Sequence, residues 1–311
     1  MIEIKLYQNK FKFIWNKFVN QAKNGIFFFQ RDYMDYHSDR FIDNSLLIYK
    51  NNKLLALLPS NIENDKLISY GGLTFGGVIS DYNMKIKLML EIFENVIDYM
   101  LKNNYKKLIY KSIPNIYHIY PSEEDLYALF RNNAKLIRRD VSSTINLSET
   151  IKYSKGRKWS IKKSKSKNFK IIISDDFKSF MEIEEKILTS KYGVNPVHTH
   201  EEISLLHSIF PNNIKLFAIY NESIMLGGVI IYESQNVAHA QYISATEKGK
   251  EYGVLDCILN YLITHYYSKK KYFDFGISTE KKGTYLNELL IQNKESYGAR
   301  SIVHDFYELT I

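Results

Sequence analysis

The sequence has one cysteine, Cys257, so no disulfide framework can form and a cysteine-built metal site is not expected. Cys257 lies within the apolar run GVLDCILNYLI and reads as a buried structural residue. No apolar run reaches the roughly 18 residues that a membrane span needs. The opening MIEIKLYQNKFKF carries Lys and Glu where a secretory signal requires an apolar stretch. Together these absences predict a cytoplasmic protein with no membrane span and no metal.

What is present points to two domains of ordinary size. The chain has 311 residues, 45% of them hydrophobic, which is enough for a core in each. Charge is concentrated in one place. From Lys155 to Lys170 there are eight Lys/Arg and no acid, matching the whole formal net charge of +8. Such a run is either a solvated helix face or a contact for a phosphate-bearing partner: a nucleotide, coenzyme A or RNA.

The pattern of elements is written twice. In the second half, a β-rich run at 169–173 precedes a helix that Asp175 can cap, running to about Ser190. A second helix fits His200–Ile209. LFAIY and MLGGVIIY form a hairpin about Asn221-Glu222-Ser223, followed by a strand at 236–244. A polar loop, 245–252, leads to a helix at 253–268. A strand at 271–277, a helix at 283–297 and a last strand region at 300–311 follow. The first half repeats this order, with a hairpin at 46–58 turning on Asn51-Asn52. The closing segments align at an offset of 165, pairing Ala134 with Ala299, Ile137 with Ile302 and Asp140 with Asp305. The boundary is expected near Glu149–Ser154, giving domains 1–150 and 151–311.

This order of strand, two helices, three antiparallel strands, helix, strand, helix, strand resembles the GNAT acyltransferase fold. Two such units in tandem resemble the FemABX-type branch. The resemblance covers essentially the whole chain. It implies an α/β (α+β) fold of two mixed, mainly antiparallel sheets flanked by helices. GNAT proteins carry a basic-x-x-Gly-x-Gly/Ala loop whose backbone N–H groups hold the coenzyme A pyrophosphate. Lys250-Glu-Tyr-Gly253-Val254-Leu255 matches the basic residue and the first glycine, but Leu255 replaces the second. The first half has no glycine at its equivalent, so the resemblance places acyl-CoA in the second domain and the acceptor in the first. On the late helix, Asn287 and Gly298 keep the GNAT spacing, while Lys294 stands where a Tyr protonates the departing thiolate. A lysine there would stabilise the oxyanion or donate that proton.

Other candidates come from the residues themselves. Asp274, between two Phe in FDF, either faces solvent or is held in a cleft at a strand end. The GNAT resemblance implies direct attack by a neutral amine without a covalent intermediate, and the lack of a Gly-x-Ser-x-Gly elbow and the apolar setting of Cys257 agree with that. Among eight histidines, His198 is the first choice as base or substrate ligand, since it precedes a helix in the stretch that the GNAT resemblance makes substrate-facing. The polar and aromatic stretch around His37 and Arg40, and the glycine-rich strand Ser69–Gly77, suit acceptor binding. By the FemABX-type resemblance, Arg157 and Lys158 are expected to grip a diphosphate. The leading expectation, implied by the FemABX-like resemblance, is an N-acyltransferase moving an acyl group from acyl-CoA to a dTDP- or UDP-linked amino sugar, for surface polysaccharide. Its sites would be Lys294 and His198 for catalysis; Lys250, Gly253, Val254 and Asn287 for the coenzyme; and Arg157, Lys158, His37, Arg40 and Asp274 for the acceptor. No DNA partner is expected. The alternatives are a FemABX-type transferase using aminoacyl-tRNA on a peptidoglycan precursor, and a degenerate, non-catalytic GNAT pair.

Overall fold

The structure, a computed structural model, describes residues 1–311 apart from the side chains of His37, Lys191 and Tyr192. It divides into two compact units. Unit 1 holds Met1–Val141, Thr279–Tyr285 and Val303–Ile311; unit 2 holds Ser142–Ser278 and Leu286–Ile302.

Unit 1 begins with β1 (Ile2–Leu6), α1 (Lys12–Gln21) and α2 (Arg31–Met34). The strands β2 (Ile42–Asp43), β3 (Leu46–Lys50), β4 (Lys53–Leu58), β5 (Asn61–Glu63), β6 (Lys66–Ile68) and β7 (Ile79–Ser80) follow. Then come α3 (Ile86–Lys102), β8 (Lys107–Lys111), α4 (Glu124–Arg131) and β9 (Lys135–Asn146). The β3–β4 hairpin turns where expected. Asn51 and Asn52 have φ of 49° and 62°, the left-handed pair that a two-residue hairpin requires. α3 forms because Met89, Ile92, Phe93, Val96 and Met100 recur on one face, and that face closes the unit's core against β3 and β4. The glycine-rich stretch is not a strand: β6 stops at Ile68, and 69–77 forms turns and irregular backbone. There Gly76 approaches Ser69 so closely that an added Cβ would lie 2.1 Å from its carbonyl oxygen.

Unit 2 contains α5 (Lys155–Lys165), β10 (Ile171–Ser174), α6 (Phe177–Tyr192), α7 (His200–Ile209), β11 (Ile214–Asn221), β12 (Ile224–Glu233) and β13 (Val237–Ala245). It continues with α8 (Glu247–Tyr252), α9 (Val254–Tyr261) and β14 (Tyr272–Ile277). The chain closes with β15 (Thr279–Glu280), β16 (Tyr285–Leu286), α10 (Glu288–Ser296) and β17 (Arg300–Thr310). The strand order within unit 2 is β10-β11-β12-β13-β14, then the end of β9. Neighbours are antiparallel except β13 and β14. One face packs on α9 through Val229, Ile231, Ala238, Val254 and Ile258. The other receives α6, whose Phe180 lies over Gly228.

Three local expectations are corrected. Asp176, not Asp175, caps α6 by accepting from the Ser179 N–H. The stretch 245–252 is mostly helix rather than loop, because Thr246 supplies an N-cap to Gly249. The helix expected at 283–297 starts only at Glu288, since Tyr285–Leu286 pairs with Thr279–Glu280 in a small two-stranded sheet.

Glycine packing supplies a stability test. An added Cβ at Gly249 would lie 2.1 Å from the Leu226 carbonyl oxygen, whereas at Gly156 it would meet nothing within 4 Å. Gly249→Ala is expected to cost about 1–3 kcal/mol by overpacking α8 on β12. Gly156→Ala should stabilise α5 by about 0.5–1 kcal/mol. Urea denaturation of both variants should give opposite signs; equal signs would contradict this packing.

Candidate active site

β13 and β14 pair in parallel, and they pair only briefly. Val237–His239 face Tyr272–Asp274, yet β13 runs on to Ala245 and β14 to Ile277. Beyond His239 and Asp274 the two strands part. Gly276 marks the parting on β14: its φ is +76°, and an added Cβ would sit 3.3 Å from His239 Cε1. The β14–β9 register also shifts between Asp274 and Ile277. On β13, Ile230 pairs with Tyr242 while Ile231 pairs with Ala240, so Gln241 is an extra residue. That bulge leaves His239, Tyr242 and Ser244 on the same face, the one that receives α6.

Each of these three side chains meets a titratable partner from another element. His239 Nδ1 is 2.7 Å from Asp274 Oδ2. Tyr242 OH is 2.6 Å from His198 Nδ1, in the turn before α7. The Ser244 hydroxyl donates to Glu184 on α6. Burial raises the Glu184 pKa, and the Ser244 hydrogen bond opposes that shift.

Asp274 is fully buried, so of its two expected settings the solvent-facing one does not apply. Its Oδ1 accepts from the Ser142 and Thr144 hydroxyls, both at 2.7 Å, and Oδ2 faces His239. Lys294 reaches the same strand end from α10. Its Nζ donates to the carbonyls of Gly276 at 2.9 Å and Ile277 at 2.7 Å. An ammonium has three donors, and these two bonds use two of them. Burial pulls the Lys294 pKa down to about 8, against the opposing charge of Asp274. Lys294 and Asp274, expected in separate roles, thus belong to one cluster.

The remaining expected residues lie elsewhere in their units. Lys250, on α8, holds Glu247 Oε1 at 2.5 Å. Gly253 joins α8 to α9 at φ +70°, and its Cβ position lies 3.1 Å from Ser164 Cβ on α5. The Val254 side chain is in the core, and Asn287 caps α10 by accepting from the Leu290 N–H at 3.1 Å. The Arg157 guanidinium binds Asp256, donates to Ser296 Oγ at 2.9 Å and lies 4.0 Å from the Tyr297 ring centre. Lys158 and Arg40 are exposed, and the His37 side chain lies outside the described residues. Sequence reasoning missed His239. The available signal was Asp274, an acid inside an apolar strand, whose partner had to come from the neighbouring strand.

Among the described residues no group of three or more His, Cys, Asp or Glu is placed to hold a metal ion. No helix is long and apolar enough to cross a membrane. No known family profile and no curated protein matches the sequence. Solved structures match in fold. FemX aligns over 99% of this chain and 97% of its own with a TM-score of 0.69 and 8% identity. The C-terminal domain (DUF2156) of a putative lysylphosphatidylglycerol synthetase from Agrobacterium fabrum aligns over 97% and 92%, with TM-score 0.60 and 9% identity. L-PGS from Bacillus licheniformis aligns over 82% and 81%, with TM-score 0.57 and 11% identity. The chain therefore has a mixed α/β fold with mainly antiparallel sheets flanked by helices, of the kind seen in FemX.

The buried lysine gives a pH test. Its folded-state pKa of about 8 lies below the usual 10.5, so the unfolded chain binds more protons between those values. The cost of burying Lys294 is full at and below pH 8 and fades as pH rises toward 10.5. Relative to Lys294→Met, the native chain should gain stability from pH 8 to pH 10.5 in denaturant titrations. A flat difference would show that Lys294 is not buried as an ammonium.

Proposed function

We propose that the protein is an N-acyltransferase whose reacting site lies in unit 2, at the parting of β13 and β14. The carrying observation is the Lys294 ammonium fixed on the Gly276 and Ile277 carbonyls beside the buried Asp274. A cation there suits an acyl carbonyl that gains negative charge under attack. The fold likeness to FemX supports the same reading. The leading donor is acyl-CoA, held by the later part of the chain (151–311) with Lys250 and the α8–α9 junction at Gly253 and Val254 near its phosphates. Asn287 acts by starting the helix that carries Lys294. His198 acts through Tyr242 on the same face of β13.

The leading acceptor is a nucleotide-linked amino sugar, bound by the earlier part (1–150) through the region of His37 and Arg40. Of the two basic residues expected to hold its diphosphate, Lys158 has an exposed side chain, while Arg157 is already engaged with Asp256. Acyl transfer to such a sugar would serve surface polysaccharide biosynthesis in the cytoplasm.

A second reading has a specific observation behind it. α5 exposes Lys155, Lys158, Lys162, Lys163 and Lys165 together with Trp159, and Lys163 Nζ lies 5.7 Å from the Trp159 ring centre. Lysines beside an exposed aromatic suit a nucleic acid, so the donor would be an aminoacyl-tRNA.

Calorimetry separates the two. Micromolar binding of acetyl-coenzyme A supports the first; tRNA binding with a steep salt dependence, and no coenzyme binding, supports the second. In either case Lys294→Met should lower kcat roughly 100-fold with little change in acceptor KM, the size expected for one electrostatic donor. An intact kcat would remove Lys294 from the chemistry.

A further inference from the structure

The geometry points to His239 as the base that takes the proton from the attacking amine, with Asp274 as its positioning residue. This rests on the acyl-transfer reading above. Three observations carry it.

First, the two residues are matched by register: His239 on β13 and Asp274 on β14 are the last pair before the strands part. Second, Asp274 is held from three sides. The Ser142 and Thr144 hydroxyls fix Oδ1, which leaves Oδ2 aimed at His239 Nδ1. A carboxylate accepts only, so Nδ1 carries the hydrogen and the lone pair sits on Nε2. Third, Nε2 makes no hydrogen bond to protein among the described residues, and the ring lies over Gly276, where the missing Cβ leaves room. The titratable groups on the surrounding elements are Asp274 on β14, Lys294 on α10, Tyr232 on β12, Tyr242 on β13, His198 before α7 and Glu184 on α6. Of these, Asp274 touches the His239 ring.

The step balances without any further reagent. The amine nitrogen forms the new N–C bond, the carbonyl electron pair moves to oxygen, and Nε2 takes the proton from nitrogen. As the carbonyl reforms, the bond to the leaving sulfur or oxygen breaks and that atom departs with the electron pair. The proton on His239 passes to it, returning the ring to its neutral form. The Lys294 ammonium faces the oxygen throughout and keeps its protons. His198, joined through Nδ1 to Tyr242, serves the neighbouring position on the strand rather than this one.

The test uses two probes on the full chain. p-Nitrophenyl acetate reports the Nε2 lone pair without needing a coenzyme or a natural acceptor. His239→Ala should release p-nitrophenolate at least about 10-fold more slowly than the native chain, and free imidazole should restore the rate. His239→Gln, of similar size, should show the same loss without rescue and guards against misfolding, which circular dichroism would register. Asp274→Asn should slow the reaction in the native background and add nothing in the His239→Ala background, because Asp274 acts through His239. Equal rates for native and His239→Ala, or an additive effect of Asp274→Asn, would overturn the proposal. The second probe is acetyl-coenzyme A binding. A His239-dependent esterase rate in a chain that binds no acetyl-coenzyme A would sustain the base and reject acyl-CoA as donor, so the two failures are distinct.

Discussion

A carboxylate with no exposure to solvent has to be hydrogen-bonded and paired, and Asp274 is such a group. Its partners come from both flanking strands: Ser142 and Thr144 on β9, His239 on β13. Lys294 supplies the nearby positive charge from α10. One buried carboxylate therefore ties three strands together through its side chain. It also explains why the parallel pairing of β13 with β14 ends where it does. The last paired residues are the two that bond side chain to side chain, and Gly276 then turns β14 aside under the His239 ring.

A second buried carboxylate orders the basic helix. Asp256, in the first turn of α9, receives Arg157 and Ser160 from α5 and the Tyr297 hydroxyl at 2.7 Å. The Arg157 guanidinium also lies over the Tyr297 ring, and burial beside Asp256 raises the Tyr297 pKa well above its usual value. The basic run thus has two faces with different tasks. Arg157, Ser160, Ile161 and Ser164 pack on α9 and the glycine junction, while the lysines point outward. The run is neither wholly a solvated face nor wholly a ligand clamp. Its one arginine anchors the helix, which leaves the lysines to meet any phosphate-bearing partner.

What the sequence makes legible follows from what is local. The 3.6-residue spacing of Met89, Ile92, Phe93, Val96 and Met100, the Asn51-Asn52 turn and the Thr199 cap of α7 are set within a few residues of themselves, and the Asn51-Asn52 turn is found where expected. The repeated element order is a sum of such local signals. The site is different. His239 meets Asp274 only through a parallel pairing of strands separated by two helices, and it shares a face with Tyr242 only because Gln241 is bulged. Neither register nor bulge leaves a mark in composition. Lys294 and Asp274 could be singled out one at a time, as a lysine in a helix's last turn and an acid in an apolar strand. Their membership of one cluster depends on where α10 begins. Thr279–Glu280 and Tyr285–Leu286 set that start, and the periodicity of 283–297 does not reveal it.

The central claim is that acyl transfer takes place where β13 and β14 part. A crystal structure of the full chain with a non-reactive thioether analogue of acetyl-coenzyme A tests it most directly. The account predicts the analogue's carbonyl between the two strands, within hydrogen-bond reach of Lys294 Nζ and next to His239. An analogue bound with its carbonyl away from both residues would contradict it.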